Sequence, residues 1–429
     1  MKKKVNAKIK VLVAISGGVD SSVVAALLVS QGYDVTGAFM VNYEEEGTNS
    51  ANDGEDKMRM KNEKCWTGDY QDALRVVAKL GIPLLRLDFR KEYKQKVLDY
   101  MYEEYSLGRT PNPDVLCNKF VKFGFWLEKA KELGFDKLAT GHYARLGRKI
   151  INSKPQILKK QKFPISNFQL LTAKDDNKDQ TYFLHQLNQE QLKYTLFPLG
   201  KYTKPEVRKL AKKYDLPNAE KEESMGICFV GEVPMKEFLM KEIKSKPGNI
   251  ILSSGEVLGQ HEGLAFYTIG QRYGLSFRAE SRNPLNTVIA NSKDKGSFRS
   301  AKSLGQDDNT KPLFVVDKKA ETNELVVGYE DDPLLYKKEA EIVDVNWIDG
   351  QMPKFPLKCE VRLRHRQPLQ ACTVCHSDRS GGIPYTVKFA QPQRAVTPGQ
   401  FAVFYLARRS SLGAKEGKNR VCLGGGVVK

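Results

Sequence analysis

The chain has 429 residues, 41% hydrophobic and 28% charged, with 69 Lys and Arg against 51 Asp and Glu for a formal net charge of +18. That much apolar material excludes wholesale disorder, the length suggests two or three domains, and the basic excess points to a partner rich in phosphates. No apolar run reaches the roughly 20 residues that span a bilayer, and seven scattered cysteines, an odd number, do not make a secreted disulfide framework.

In chain order, Met1-Lys2-Lys3-Lys4 resembles the start of a signal peptide, but the apolar run that follows is too short and ends in a glycine turn. The expectation is a cytoplasmic, monomeric protein without membrane association. Residues 10–15 are a continuous apolar run, the pattern of a strand buried on both faces. A helix over 23–30 with Gly32 behind it, a strand over 35–40, a helix over 69–80 backed by Gly81, and a strand over 84–89 follow. Helices over 91–105 and 119–133 and a short strand over 137–140 complete the alternation, which predicts a parallel sheet covered by helices on both faces. Residues 42–63 and 278–311 are polar and aperiodic, and read as a loop and a linker. From 313 onward short strands predominate: 313–317, 324–328, 340–347, 357–364, 385–389, 401–406 and 421–427. The fold class is α/β, with units over 1–242, 243–311 and 312–429: a nucleotide-binding sheet domain, a small central domain and an all-β barrel.

Charge is unevenly spread. Residues 137–174 hold nine positive side chains and no Asp or Glu, a cluster that a bound polyanion would stabilise.

Three motifs carry chemistry. Ser16-Gly17-Gly18-Val19-Asp20-Ser21-Ser22 lies between the first strand and first helix. Its glycines let backbone N–H groups converge on an anion at a helix N-terminus, its serines add hydroxyl donors, and Asp20 either orients the loop or holds a magnesium ion. The GK[ST] ending of a Walker A loop is missing. In Thr110-Pro111-Asn112-Pro113-Asp114-Val115-Leu116-Cys117, two prolines stiffen a loop ahead of a helix that Asp114 could cap. Cys117 is then either a packed thiol or a nucleophile favoured by the helix dipole and Lys119. Cys228, in Ser224-Met225-Gly226-Ile227-Cys228-Phe229, lies 111 residues later and read alone is a buried cysteine.

The first motif resembles the phosphate loop of the ATP pyrophosphatases, the adenine nucleotide alpha hydrolase-like fold. Together the three resemble the bacterial tRNA 2-thiouridylases, and the likeness extends through Gly141-His142-Tyr143, Asn177 to Leu184, Thr268 to Arg272, Arg364 to Gln367, Thr397 to Gln400 and Leu423 to Gly426. The resemblance implies ATP, with Mg2+ accompanying it, held by Ala14, Ile15, Ser16, Gly17, Gly18, Val19, Asp20, Ser21, Met40 and Gly141. It implies Cys228 as persulfide carrier, Cys117 as nucleophile and Asp114 as general acid or base. It also implies tRNA contacts, at the anticodon stem-loop and wobble uridine, from Asn112, Pro113, Asp114, His142, Lys178, Asp179, Gln180, Arg364, His365 and Gln400. A sulfur carrier or cysteine desulfurase would supply the persulfide. An amide-forming ligase would share the loop without needing paired thiols. Cys372-Thr373-Val374-Cys375-His376 spells a haem-attachment or zinc-like pattern, but no second ligand pair has suitable spacing and no resident metal is expected. Cys359 and Cys422 read as core strand residues, and Cys65 as a bystander thiol.

Overall fold

The computed structural model describes residues 8–43, 67–150, 166–223, 234–272, 311–376, 384–406 and 420–429. The N-terminal sheet contains β1 (Lys10–Ala14), β2 (Asp34–Val41), β3 (Leu84–Asp88) and β4 (Lys137–Ala139). A hairpin of β5 (Arg145–Ile150) and β6 (Ser166–Leu171) follows, then β7 (Thr195–Leu196) returns to the sheet. The order is β3-β2-β1-β4-β7 with every neighbour parallel. Side chains alternate across β1. Val11, Val13 and Ile15 pack with Val23, Val24 and Leu27 of helix α1 (Val19–Ser30), while Leu12 packs on the other face with Val115, Cys117 and Val121. Helices therefore cover both faces, as the strand–helix alternation predicts.

Helical turns over 113–132 begin six residues before the expected start at 119. Pro113 occupies the first turn, where its missing N–H costs nothing, and the Asn112 side chain accepts from Val115 N at 3.4 Å. Asp114, the expected cap, sits in the first turn instead.

The middle sheet contains β8 (Gly248–Leu252), β9 (Val257–His261), β10 (Phe314–Lys319) and β11 (Glu324–Gly328), in the order β10-β11-β8-β9. The two strands expected to open the barrel, β10 and β11, therefore pair in this sheet instead. Alternation identifies a strand but not its partner: β11 pairs with β8 across more than 70 intervening residues.

The barrel is β12 (Tyr336–Trp347), β13 (Leu357–Arg362), β14 (Gln370–Cys375), β15 (Tyr385–Arg394), β16 (Phe401–Tyr405) and β17 (Val421–Val428). Antiparallel pairing in the order β12-β15-β14-β13-β16-β17 closes through β12–β17. The β5–β6 hairpin joins β17 through Leu170 and Leu171, so the N-terminal unit extends the barrel's own sheet. Cys359 and Cys422 are buried strand residues, as expected. Cys372 and Cys375 lie three apart on β14, so they face opposite sides of the strand. Cys372 turns inward to Cys359, with Sγ atoms 3.5 Å apart. The ring of His376 instead lies 4.0 Å from that of Tyr385, so the CxxCH spelling does not gather its thiols into one ligand set. Cys65 lies outside the described residues.

Candidate active site

The chain runs from β1 through β2 to β3 on one side of the sheet and crosses back to β4 on the other. The carboxyl ends of β1 and β4 thus form a switch point, where open α/β sheets bind ligands. Residues 16–22 follow β1 there, and Gly141 follows β4. Gly17 has φ +75°, and a Cβ on it would lie 2.2 Å from the carbonyl oxygen of Asp69 in helix α2 (Thr67–Leu80). A Cβ on Gly141 would lie 3.3 Å from Ser21 N, so both glycines permit backbone approaches that a side chain would block. Among the described residues no side chain caps α1, whose N-terminus therefore keeps its anion-binding character. The hydroxyls of Ser21 and Ser22 donate to Gly18 O at 3.0 and 2.9 Å and so shape the loop. Ile15, Val19 and Met40 are buried, while Ala14, Gly18 and Asp20 are partly exposed and Ser16 is exposed.

Around the loop lies a polar cluster that sequence reading missed. Asp20 Oδ1 accepts from Tyr143 Oη at 3.0 Å and from Lys204 Nζ at 2.8 Å. Lys204 also pairs with Glu223 at 2.8 Å, and Glu223 pairs in turn with Lys178. Partial burial alone would raise the Glu223 carboxyl, but the two lysines overcome that and hold it at about 2. The buried Asn218 donates to Gly17 O at 2.8 Å and Ser22 Oγ at 3.0 Å, fixing the loop from behind. Spacing gives no sign of these partners, which converge only through the fold.

The segment before Cys117 is held by all three structural units. Lys318 of β10 donates to Gly108 O at 3.0 Å, and Thr110 N donates to Pro398 O at 2.9 Å. Gln400 Nε2 reaches the Thr110 and Pro111 carbonyls at 2.9 and 3.3 Å. Asn112, Pro113 and Asp114 are half-buried and Cys117 is fully buried, in the core cluster that also contains Met40. Lys119 donates to Gln186 at 3.1 Å, and burial pushes its ammonium pKa down. Cys228 lies outside the described residues. Gln400→Ala removes two ties on this segment. It is expected to slow product formation roughly 3- to 10-fold, from about 1 kcal/mol of lost positioning, with nucleotide affinity unchanged in calorimetry.

Family models match in chain order: the tRNA methyl transferase HUP domain over residues 9–232, the tRNA methyl transferase PRC-barrel domain over 236–290, and the aminomethyltransferase beta-barrel domain over 337–428. The tRNA-specific 2-thiouridylase MnmA of Acinetobacter baylyi is 40% identical over 424 residues, covering 98% of this chain and 96% of the relative. The corresponding protein of Francisella tularensis subsp. novicida is 40% identical over 420 residues, covering 98% and 99%. The chain belongs to the tRNA-specific 2-thiouridylase family. Its N-terminal sheet domain is the HUP domain of that family. Among its described residues no helix is long and apolar enough to cross a membrane.

The residues expected at the tRNA also join the structural units of this chain. Asp179 is 2% exposed; it accepts from Ala173 N at 3.0 Å and Thr181 Oγ1 at 2.7 Å, and faces Arg362 of the barrel at 3.4 Å. Burial pushes its carboxyl pKa up, restrained by these donors. His365 contacts Asp179 O at 3.0 Å through Nε2, and burial lowers its imidazole pKa. Gln180 Oε1 accepts from Tyr143 N at 2.9 Å. One guanidinium nitrogen of Arg364 donates to Ile269 O, Ala395 O and Thr397 Oγ1, connecting the barrel to the middle unit. His142 is buried, its Nδ1 2.8 Å from Thr140 Oγ1, and burial keeps the ring neutral well below its usual range. Part of the basic stretch is committed internally: Arg145 donates to Thr172 O at 2.8 and 2.6 Å, and Lys174 pairs with Glu206 at 2.7 Å.

Proposed function

We propose that this chain thiolates tRNA: it adenylates the 2-oxygen of the wobble uridine and then replaces that oxygen with sulfur carried as a persulfide on Cys228. The observation that carries the reading is the uncapped, glycine-lined N-terminus of α1 at the sheet's switch point, with Lys204 alongside. An anion-binding cradle of this kind suits a nucleotide's phosphates. The uracil oxygen attacks the α-phosphate of ATP and pyrophosphate leaves. Sulfur then bonds to carbon 2, and the oxygen departs with AMP.

Ala14 and Ile15, the loop from Ser16 to Ser21, Met40 and Gly141 would surround the nucleotide. Magnesium bound with the phosphates would neutralise part of their charge, and a single carboxylate, Asp20, fits a site in which phosphates supply most ligands. Asn112, Pro113 and Asp114 would meet a uridine flipped out of its stack, with Asp114 moving the proton. Cys117 either attacks the inner sulfur of the Cys228 persulfide, freeing hydrosulfide and leaving a disulfide, or assists direct attack by the outer sulfur. Its full burial supports a dry pocket, which protects the activated base from hydrolysis. Lys178, Gln180, Arg364, His365 and Gln400 are only partly buried and would face the tRNA, while His142 and Asp179 would shape the surface from beneath. A sulfur carrier or cysteine desulfurase would load Cys228 of a cytoplasmic monomer.

The test supplies tRNA, ATP and a desulfurase-generated persulfide, and measures 2-thiouridine by nucleoside mass spectrometry alongside pyrophosphate release. Cys117→Ser and Cys228→Ser are each expected to lose 2-thiouridine while releasing pyrophosphate. Full 2-thiouridine formation by either variant would overturn the sulfur route.

A further inference from the structure

We propose that Lys204 is a phosphate-binding residue of this site, held in reserve by Glu223 until the nucleotide's polyphosphate displaces that carboxylate. The proposal deepens the nucleotide reading of the loop and rests on it. Residues 16–22 contain no lysine or arginine, so the loop itself offers backbone and hydroxyl groups but no cation for a polyphosphate. Phosphoryl-transfer sites place a cationic side chain on such groups. The Lys204 side chain is 14% exposed, and its ammonium lies 2.8 Å from Asp20, in the first turn of α1 where the anion would sit.

The lysine is also rigidly mounted. It opens the helix Lys204–Lys213, whose start is fixed by a capping box between Thr203 and Glu206. Its own N–H donates to Asp175 Oδ2 at 2.9 Å. Two carboxylates share its charge, Asp20 and Glu223, both at 2.8 Å.

An exchange of partners leaves no participant alone. Glu223 keeps Lys178, and Asp20 keeps the Tyr143 hydroxyl at 3.0 Å. Lys204 trades one exposed carboxylate for a phosphate oxygen of higher charge density. Glu223 is therefore a competitor for the site rather than a support of it, and this predicts opposite signs for the two substitutions.

Calorimetric titration of the full chain with inorganic pyrophosphate and with a non-hydrolysable ATP analogue tests this. Lys204→Ala is expected to weaken both probes at least 10-fold, Lys204→Arg to retain most of the affinity, and Glu223→Gln to tighten both several-fold. The gain from Glu223→Gln should disappear in the Lys204→Ala, Glu223→Gln double variant. Thermal melts of each variant confirm folding, and a gain in affinity cannot arise from a misfolded protein. If Glu223→Gln weakens binding, or its gain is the same with and without Lys204, the lysine only props Asp20 or senses a general field, and the proposal is overturned. If the wild-type chain binds neither probe, the nucleotide reading fails and takes this inference with it.

Discussion

Gly17→Ala is expected to reduce affinity for ATP by roughly 100-fold while leaving the protein folded. At φ +75° an alanine costs on the order of 1–2 kcal/mol in backbone strain. Its Cβ would also lie 2.2 Å from the carbonyl oxygen of Asp69, so the loop or the start of α2 must move. Asn218 holds Gly17 O at 2.8 Å on the other side, which leaves the loop little room to yield. About 1 kcal/mol of lost anion contacts beyond the strain brings the total near the 2.7 kcal/mol that two decades of affinity require. Calorimetric ATP titration together with far-ultraviolet circular dichroism measures both quantities. Wild-type affinity in a folded Gly17→Ala protein would mean the nucleotide binds elsewhere.

Asp179→Ala should give the largest loss of stability. It strands Arg362, whose side chain is 13% exposed and whose Nε already has no partner among the described residues. Removing one member of a buried ion pair typically costs about 3–5 kcal/mol, because the remaining charge stays desolvated. It also removes the acceptor for Ala173 N and Thr181 Oγ1. For a unit of 150–250 residues that corresponds to a fall of roughly 6–20 °C in melting midpoint. The double substitution Asp179→Leu with Arg362→Met should recover most of the loss, since an apolar pair of similar volume leaves no charge buried. Scanning calorimetry decides: an unchanged midpoint for Asp179→Ala would mean the pair contributes nothing to seating the barrel on the N-terminal unit.

Much of the turn between β1 and α1 was legible in sequence. A buried apolar strand, two glycines and a helix are consecutive, so local rules place that turn directly. Gly32 and Gly81 take the positive φ values, 83° and 65°, that their positions behind helices suggest. The start of the helix over 113–132 was harder to read, because Asn112 and Asp114 are both competent caps two residues apart. The choice between them depends on how Gln400, Thr268 and Lys318 seat the preceding segment.

The polar cluster around Asp20 was not legible at all. Tyr143 follows β4, whereas Lys204, Asn218 and Glu223 come after β7, and they meet only once both strands have joined the sheet beside β1. The membership of β10 and β11 in the middle sheet was hidden for the same reason, as was the addition of the β5–β6 hairpin to the barrel. What the sequence by itself determined is local: the anion-binding loop, the strand–helix alternation, the segment ahead of Cys117 and the class of chemistry its motifs carry. What only the tertiary structure decided is pairing: which strand lies beside which, which carboxylate holds which lysine, and that several residues expected to face RNA also join three domains. Backbone conformation and capping depend on near neighbours, whereas strand partners and ion pairs depend on contacts between residues far apart in the chain, whose closure no local pattern encodes.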